Sequence, residues 1–499
     1  MKKLVSILCA AALVLSLAAC GAESQSGGGE AKAAIYSLEN ATTFTFSDSG
    51  ITAQDGSYTG YEIDGTTLTI DGAGAYVVTG TCADGSIQIK KGTTGVTLAL
   101  NGLALTSADT APILCGKSTE VVIVAADGST NSLTDAAENN DDSYPDNTEA
   151  ENAVIKCKDG AQVTLCGGGA LTINANGKNG IKSGASTTEE GEASLTIREL
   201  TLTINAPVND AINAQQLLNV ESGTLTISAA DDAIHSDLVL NIGGDGTDGP
   251  TIAITECYEG IEAAELNVLS GNIDILSSGD CLNAANSDLS GYAFSMNISG
   301  GVITACSSSG DGFDSNGDLT ISGGTVAVWT ANAADNQPLD ADGAITVSGG
   351  TVLAAGGSAG MGMNLTAEQP CVTFGSTGGM GGGRPGDMDG GSASIAKDAA
   401  VTITGSAVYS GTALCNANFV FFSSPELTAD GSYTLTAGDT SLTATAQTGS
   451  ISSGGMGGPG NGGQRPGDRD GGQQAPDFSG GGQPPERPGS QQSGTAQNS

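Results

Sequence analysis

Histidine and tryptophan each occur once in this 499-residue chain, and aromatic side chains make up only 4 % of it. A lone His235 excludes an imidazole-rich metal site, and it cannot supply the separate histidine element of a polygalacturonase-type hydrolase. Aromatics this sparse do not build a long stacking platform. Basic residues are scarce too: 16 Lys and Arg stand against 55 Asp and Glu, a formal charge of −39. Such an excess excludes nucleic acid or an anionic membrane surface as the main partner and favours cations, or anions bridged by cations. No stretch carries sustained helical periodicity, and no CxxC pair has zinc spacing. The overall charge density is low, with abundant Gly, Ser, Thr and Ala, which suits short strands and many turns.

The first twenty residues form an export signal: Lys2 and Lys3, then an apolar run from Leu4 to Ala19. Its end, "LAAC" at 17–20, resembles a bacterial lipobox, which implies cleavage before Cys20 and a lipid on that sulfur. The expected location is extracellular, tethered to the membrane. Residues 21–35 form a Gly/Ser-rich linker, residues 36–374 the main domain, and 375–392 a Gly-rich excursion. Further strands of the same domain are expected over 393–447, and a disordered Gly/Pro/Gln-rich tail over 448–499. Beyond Cys9 and Cys20, nine scattered cysteines read as small core residues rather than a disulfide framework.

A repeat of about twenty to thirty residues runs through the chain. Segments beginning at Asn219, Asn267, Asn297 and Thr320 each hold a short apolar strand, a Ser/Gly corner, a second alternating strand, and then an acid, a small residue and a large apolar one. Alignment on that last residue gives Ile181, Ile212, Ile234, Ile261, Leu282, Phe313 and Leu339. Three short strands per repeat predict an all-β, right-handed parallel β-helix. Residues 36–86 are expected to cap its open end, and "AAENNDDSYPDNTEAEN" at 136–152 to leave it as a loop.

Stacked repeats place equivalent side chains in rows about 4.8 Å apart. Two before the aligned residue stand Asn179, Asp210, Asp232, Glu259, Asp280, Asp311 and Gln337; one after it stand Lys182, Asn213, His235, Glu262, Asn283, Asp314 and Asp340. Both rows are expected to point outward. No Lys or Arg lies between Arg198 and Arg384 to offset the repulsion. Hard oxygen ligands without thiolate or clustered histidine favour several calcium ions. The stretch "SGDGFDSNGDLTISGGTVAVW" at 309–329 is no EF-hand: counted from Asp314, Leu319 stands at the glycine position and Thr325 at the glutamate position.

Stretches including "LALNGLALTSADTAPI", "EVVIVAADGSTNSLTD", "NGKNGIKSG", "ADDAIHSD" and "GDGFDSNGDLTISGGTV" resemble the clostridial-type β-helical carbohydrate-binding lipoproteins, over about residues 60–360. The resemblance implies a pectate-lyase-like fold with calcium in the acidic rows, and binding of polygalacturonate (pectin), another acidic glycan or cellulose without catalysis. Carried onto this chain it makes Asp210, Asp232, Glu259, Glu262, Asp280, Asp311, Asp314 and Asp340 the metal candidates, with Asn213 and Asn283 adding carbonyl oxygens. His235 departs from the pattern, since imidazole is a poor calcium ligand; its rung is expected to lack metal or to hold water. Trp329 is a candidate for stacking on sugar, with Tyr258, Tyr292 and Phe313 nearby. Two alternatives stand beside this reading: a calcium-dependent polysaccharide lyase with Lys182, near Lys178, as base, and a structural or adhesive surface protein that binds no defined sugar.

Overall fold

The computed structural model describes residues 36–54, 56–187, 192–331, 336–357, 364–375, 394–405 and 409–452. The expected signal peptide, Cys20, the linker, nearly all of the Gly-rich excursion and nearly all of the tail lie outside them. The chain divides into Met1–Gly455 and Met456–Ser499, and the described residues all belong to the first unit.

The described residues are all-β, without a helix, and most of their strands belong to one 34-stranded sheet. Its pairing follows from the repeat. Strand Thr130–Asp135 pairs in parallel with Ala170–Asn174, which pairs with Thr201–Ala206, then Thr224–Ala229, Thr251–Glu256, Asn272–Ser277, Val302–Ser307 and Thr325–Thr330. Two further ladders run through the other strands of each repeat. Along each strand the burial alternates, as in "TLTINA" at Thr201–Ala206, where Leu202, Ile204 and Ala206 turn inward. A period of two puts every second side chain on one face, so these apolar residues form a single long core.

The alignment made from sequence is the register found. Ile181 pairs with Ile212, Ile212 with Ile234, Ile234 with Ile261, Ile261 with Leu282, Leu282 with Phe313, and Phe313 with Leu339. The row also continues upstream through Ile155, Ile113 and Ile87 to Leu68.

The Ser/Gly corners have a conformational cause. Gly271, Gly301, Gly324 and Gly350 have φ between +75° and +123°, a region that costs other residues a steric penalty. At Gly324 an added Cβ would also lie 2.7 Å from the Gly301 carbonyl oxygen. Gly324→Ala is therefore expected to destabilise the fold by about 1–3 kcal/mol, read as a lower melting temperature. An unchanged melting curve would show that the corner relaxes freely.

Both ends differ from simple continuation of the ladder. At the start, Thr42–Ser47 with Gly50–Gln54 and Tyr61–Asp64 with Thr67–Ile70 are antiparallel hairpins. Each joins the parallel ladder through one strand. At the other end, the strands expected to prolong the coil over 393–447 turn antiparallel. Phe419–Ser423 pairs antiparallel with both Thr351–Gly356 and Asn364–Gly375. Ala400–Thr404, Tyr409–Thr412, Ser432–Ala437 and Thr440–Thr445 form a separate four-stranded sheet. That sheet buries its own apolar cluster, which includes Trp329, Phe374, Phe422 and Tyr433. An antiparallel sheet laid across the last repeats covers apolar surface that another parallel strand would leave open.

Candidate metal centre

The two oxygen-rich rows flank the aligned apolar residue, as their spacing requires. In-register pairs run Lys156–Lys182–Asn213–His235–Glu262–Asn283–Asp314. The oxygen-rich side chains do not reach open solvent: Asp210, Asp232, Glu259, Glu262 and Asn283 are all buried, and Asp280, Asp311, Asp314 and Asp340 half-buried. Beside the rows, Asn286 of the segment after Ala284 reaches back and donates Nδ2 to the Asp237 carbonyl at 2.8 Å.

One row has a structural task that spacing did not reveal. Asp210 Oδ1 accepts the Asp232 amide at 3.2 Å, Asp280 Oδ1 accepts the Asp311 amide at 2.6 Å, and Asp311 Oδ1 accepts the Gln337 amide. Each carboxylate thus satisfies a backbone donor of the next repeat with one oxygen. Asp210 gives its second oxygen to Asn213 Nδ2 at 2.6 Å.

His235 divides the ladder. Its Nδ1 lies 2.9 Å from Asp232 Oδ2 and 3.4 Å from Glu262 Oε1, and its Nε2 lies 2.9 Å from Asp237 Oδ1. Burial works against its charge, but the hydrogen bonds to Asp232 and Asp237 and the charges of Asp232 and Glu262 raise its pKa well above the usual value. The shift favours an imidazolium on this rung, in keeping with the expectation that it lacks metal, although Asp232, His235 and Glu262 also bring ligand atoms within 4.8 Å of one another. Burial pushes Asp232 up to about 6 against the lowering bond from His235. Burial and the hydrogen bond with Glu259 push Glu262 up to about 10. Asn283 Nδ2 donates to both Glu259 Oε2 and Glu262 Oε2 at 2.9 Å.

Downstream of Asn283 no such internal cation is present among the described residues. Asp311, Asp314 and Asp340 bring carboxylate oxygens within 4.8 Å of one another. Burial pushes Asp311 and Asp314 up to about 7; the charges of Asp280 and Asp340 act on both in the same direction, and Asp314 also adds to Asp311. Asp340 is raised as well, by burial first. A second observation is independent of charge: the buried Asn283 Oδ1, one repeat from Asp314, has no hydrogen-bond partner. A hard dication coordinated by carboxylate and amide oxygens fits this donor set. Upstream, Asp210, Asp231 and Asp232 form a comparable group, and Asp232 Oδ1 is likewise buried without a partner.

Other expected site residues sort by burial. Trp329 is 1 % exposed and packs in the cluster under the antiparallel sheet, so its ring is not open to sugar. Phe313 is fully buried as a core rung. Tyr292 is exposed, in the segment after Ala284, and its ring lies 5.5 Å from that of Phe294. Lys182 is half-buried; burial first and then Lys178 lower its pKa, while Asp210, Asp237 and Asp142 oppose the shift. Lys178 itself pairs with Asp142 of the 136–152 loop. Sequence reading passed over Lys156, which stacks on Lys182 and is lowered to about 8 by burial and by that neighbour. Extending the alignment across the loop to Ile155 would have found it. Asp231 and Asp237 fall outside the two rows and needed the fold to be seen.

The architecture is thus an all-β repeat ladder that carries a largely buried row of oxygen-bearing side chains, with two half-buried lysines at its upstream end. The family described as carbohydrate-binding domain-containing protein matches residues 64–362, and this chain belongs to it. A carbohydrate-binding domain-containing protein of Acetivibrio thermocellus is 38 % identical over 109 residues, which is 22 % of this chain and 37 % of that relative. The match therefore spans little more than a third of the relative's length. A solved structure of a polysaccharide lyase-like protein from C. thermocellum, a gadolinium derivative, aligns with a TM-score of 0.35 at 23 % identity, covering 62 % of this chain and 93 % of that one.

Proposed function

We propose that this protein captures acidic polysaccharide at the cell surface through calcium held in its acidic ladder, without cleaving it. The observation that carries the reading is the Asp311–Asp314–Asp340 group beside the partnerless Asn283 oxygen. Asp280, Asp311, Asp314, Asp340 and Asn283 would hold one ion, and Asp210, Asp231 and Asp232 with Asn213 a second. A bound calcium supplies positive charge that accepts a uronate carboxylate, cancelling the repulsion between this chain's charge of −39 and an anionic polymer. Polygalacturonate is the first candidate polymer and cellulose the second. The three stacked ladders, with the general preference for right-handed parallel crossovers, support a right-handed parallel β-helix as the scaffold. The lipobox-like "LAAC" ending at Cys20 supports a lipid anchor on the outer face of the membrane.

A second reading has its own observation. Lys182 and Lys156 both have lowered proton affinity, and Lys182 lies near Asp210; a lysine drawn toward neutrality is the base that β-elimination next to a uronate requires. Incubation with polygalacturonate, with calcium or with chelator, separates the two readings when co-sedimentation and the ultraviolet absorbance of unsaturated product are followed together. Calcium-dependent sedimentation with flat absorbance is expected. Rising absorbance, lost in Lys182→Ala, would replace binding by lyase chemistry. Calcium binding without sedimentation would leave the structural or adhesive role.

A further inference from the structure

Away from the acidic ladder, a cavity of about 700 Å³ lies between the ladder strands and Lys397, Leu414 and Asn416. Leu276, 52 % exposed, and Tyr258 stand on the ladder side, with Leu414 and Lys397 opposite. Two cysteines, 306 and 415, also border it, one from each side. Cys306 belongs to strand Val302–Ser307, and Cys415 lies between Tyr409–Thr412 and Phe419–Ser423.

We propose that Cys306 and Cys415 form a redox-active pair, a modification site at which peroxide-class oxidants close a disulfide between the repeat ladder and the C-terminal segment. Two observations place the thiols for this. Cys415 Sγ donates to the carbonyl oxygen of Ser307, the residue after Cys306, at 3.5 Å. Both cysteines line the same cavity, which gives a small oxidant a place to approach.

Their chemistry is asymmetric. The neighbouring Cys306 thiol and the Lys397 ammonium lower the pKa of Cys415, against burial, whereas the Cys415 sulfur and burial raise that of Cys306. Cys415 is the attacking sulfur and Cys306 the resolving one. The Cys415 thiolate attacks one peroxide oxygen; the O–O bond breaks and leaves a sulfenic acid and hydroxide. The Cys306 sulfur then attacks the sulfenic sulfur, forms the S–S bond and expels hydroxide, which leaves as water with the thiol proton. Two thiols and one peroxide become one disulfide and two waters.

The fold contains its own control. Cys115 and Cys157 are also neighbouring thiols, paired in register on adjacent strands, but both are fully buried in the core. The full chain would be treated with hydrogen peroxide in its native state and its unreduced peptides mapped by mass spectrometry. Linkage of the Cys306 and Cys415 peptides, about 2 Da below their reduced sum, is expected, with Cys115 and Cys157 unlinked. The linked protein should melt several degrees higher, because the bond closes a long loop, and dithiothreitol should reverse the gain. Before oxidation, iodoacetamide should label Cys415 at least tenfold faster than the buried Cys371, and Cys306→Ser should slow that labelling. Equal labelling of Cys415 and Cys371, or Cys306 and Cys415 recovered only as separate sulfinic acids, would overturn the proposal. The wild-type labelling and mapping stand even if the serine variant does not fold.

Discussion

Asp314→Asn is expected to melt above the wild type in chelator and below it in saturating calcium. Asp314 is half-buried and sits in the field of Asp280, Asp340 and Asp342. Two unit charges about 4.8 Å apart repel by about 3.5 kcal/mol at an effective dielectric of 20, and solvent at a half-buried site reduces this. A neutral isostere removes that load without changing shape, so a gain of about 1–2 kcal/mol is expected at pH 8 without metal. In calcium the same change removes a charged ligand. A hundredfold loss of affinity corresponds to about 2.7 kcal/mol, enough to reverse the sign.

The pH dependence follows from the same shift. A carboxyl raised to about 7 in the folded state, from an unfolded value near 3.8, carries no penalty below pH 4 and its full penalty above pH 7. The metal-free wild type should therefore lose stability as pH rises through that window, with a shallower slope in the variant. Thermal melts at pH 5 and pH 8, with and without calcium, check all four expectations. If Asp314→Asn melts lower in both chelator and calcium, the carboxylate is a structural acceptor and the ion site is lost as an idea.

His235→Gln carries the second large effect, with the opposite charge logic. Among the described residues, the His235 ring is the basic group that touches Asp232, Asp237 and Glu262. Removing one partner from a buried ionic group costs about 3–5 kcal/mol, since the carboxylates stay behind uncompensated. A histidine whose folded pKa is raised contributes fully below its unfolded value near 6.5 and loses that contribution as pH climbs through the raised value. The gap between wild type and variant should thus be widest at pH 6 and close at high alkalinity. Calcium should restore part of the loss in His235→Gln, because the vacated rung becomes another all-oxygen site. A melting gap that ignores both pH and calcium would mean that the ring is only filling space.

Much of the organisation was legible from the chain alone, because a stacked repeat converts sequence spacing into spatial register. The aligned Ile, Leu and Phe residues pair one to one, and the acids beside them form rows, since each parallel strand adds one position of the ladder. The Ser/Gly corners were visible for a similar reason: positive φ needs glycine, so the turn marks itself. The start of the row was missed where the 136–152 loop interrupts the period, and Lys156 was missed with it.

Tertiary structure alone decided the state of the charges and the fate of the ends. Spacing says that Asp232, His235 and Glu262 share a neighbourhood, but their protonation depends on burial and on the partners each meets in the fold. An alternating strand such as "SYTLTA" at Ser432–Ala437 reads the same in a parallel coil as in the antiparallel sheet it joins. Period two specifies which face is apolar, and only the surface available to cover that face selects the partner strand. The same reason holds for Trp329: its sequence shows an apolar strand end, and the sheet lying over it makes the ring a core residue. Local pattern determined the repeat, its register and its candidate ligands; long-range packing determined which of them are buried, charged and open to a partner.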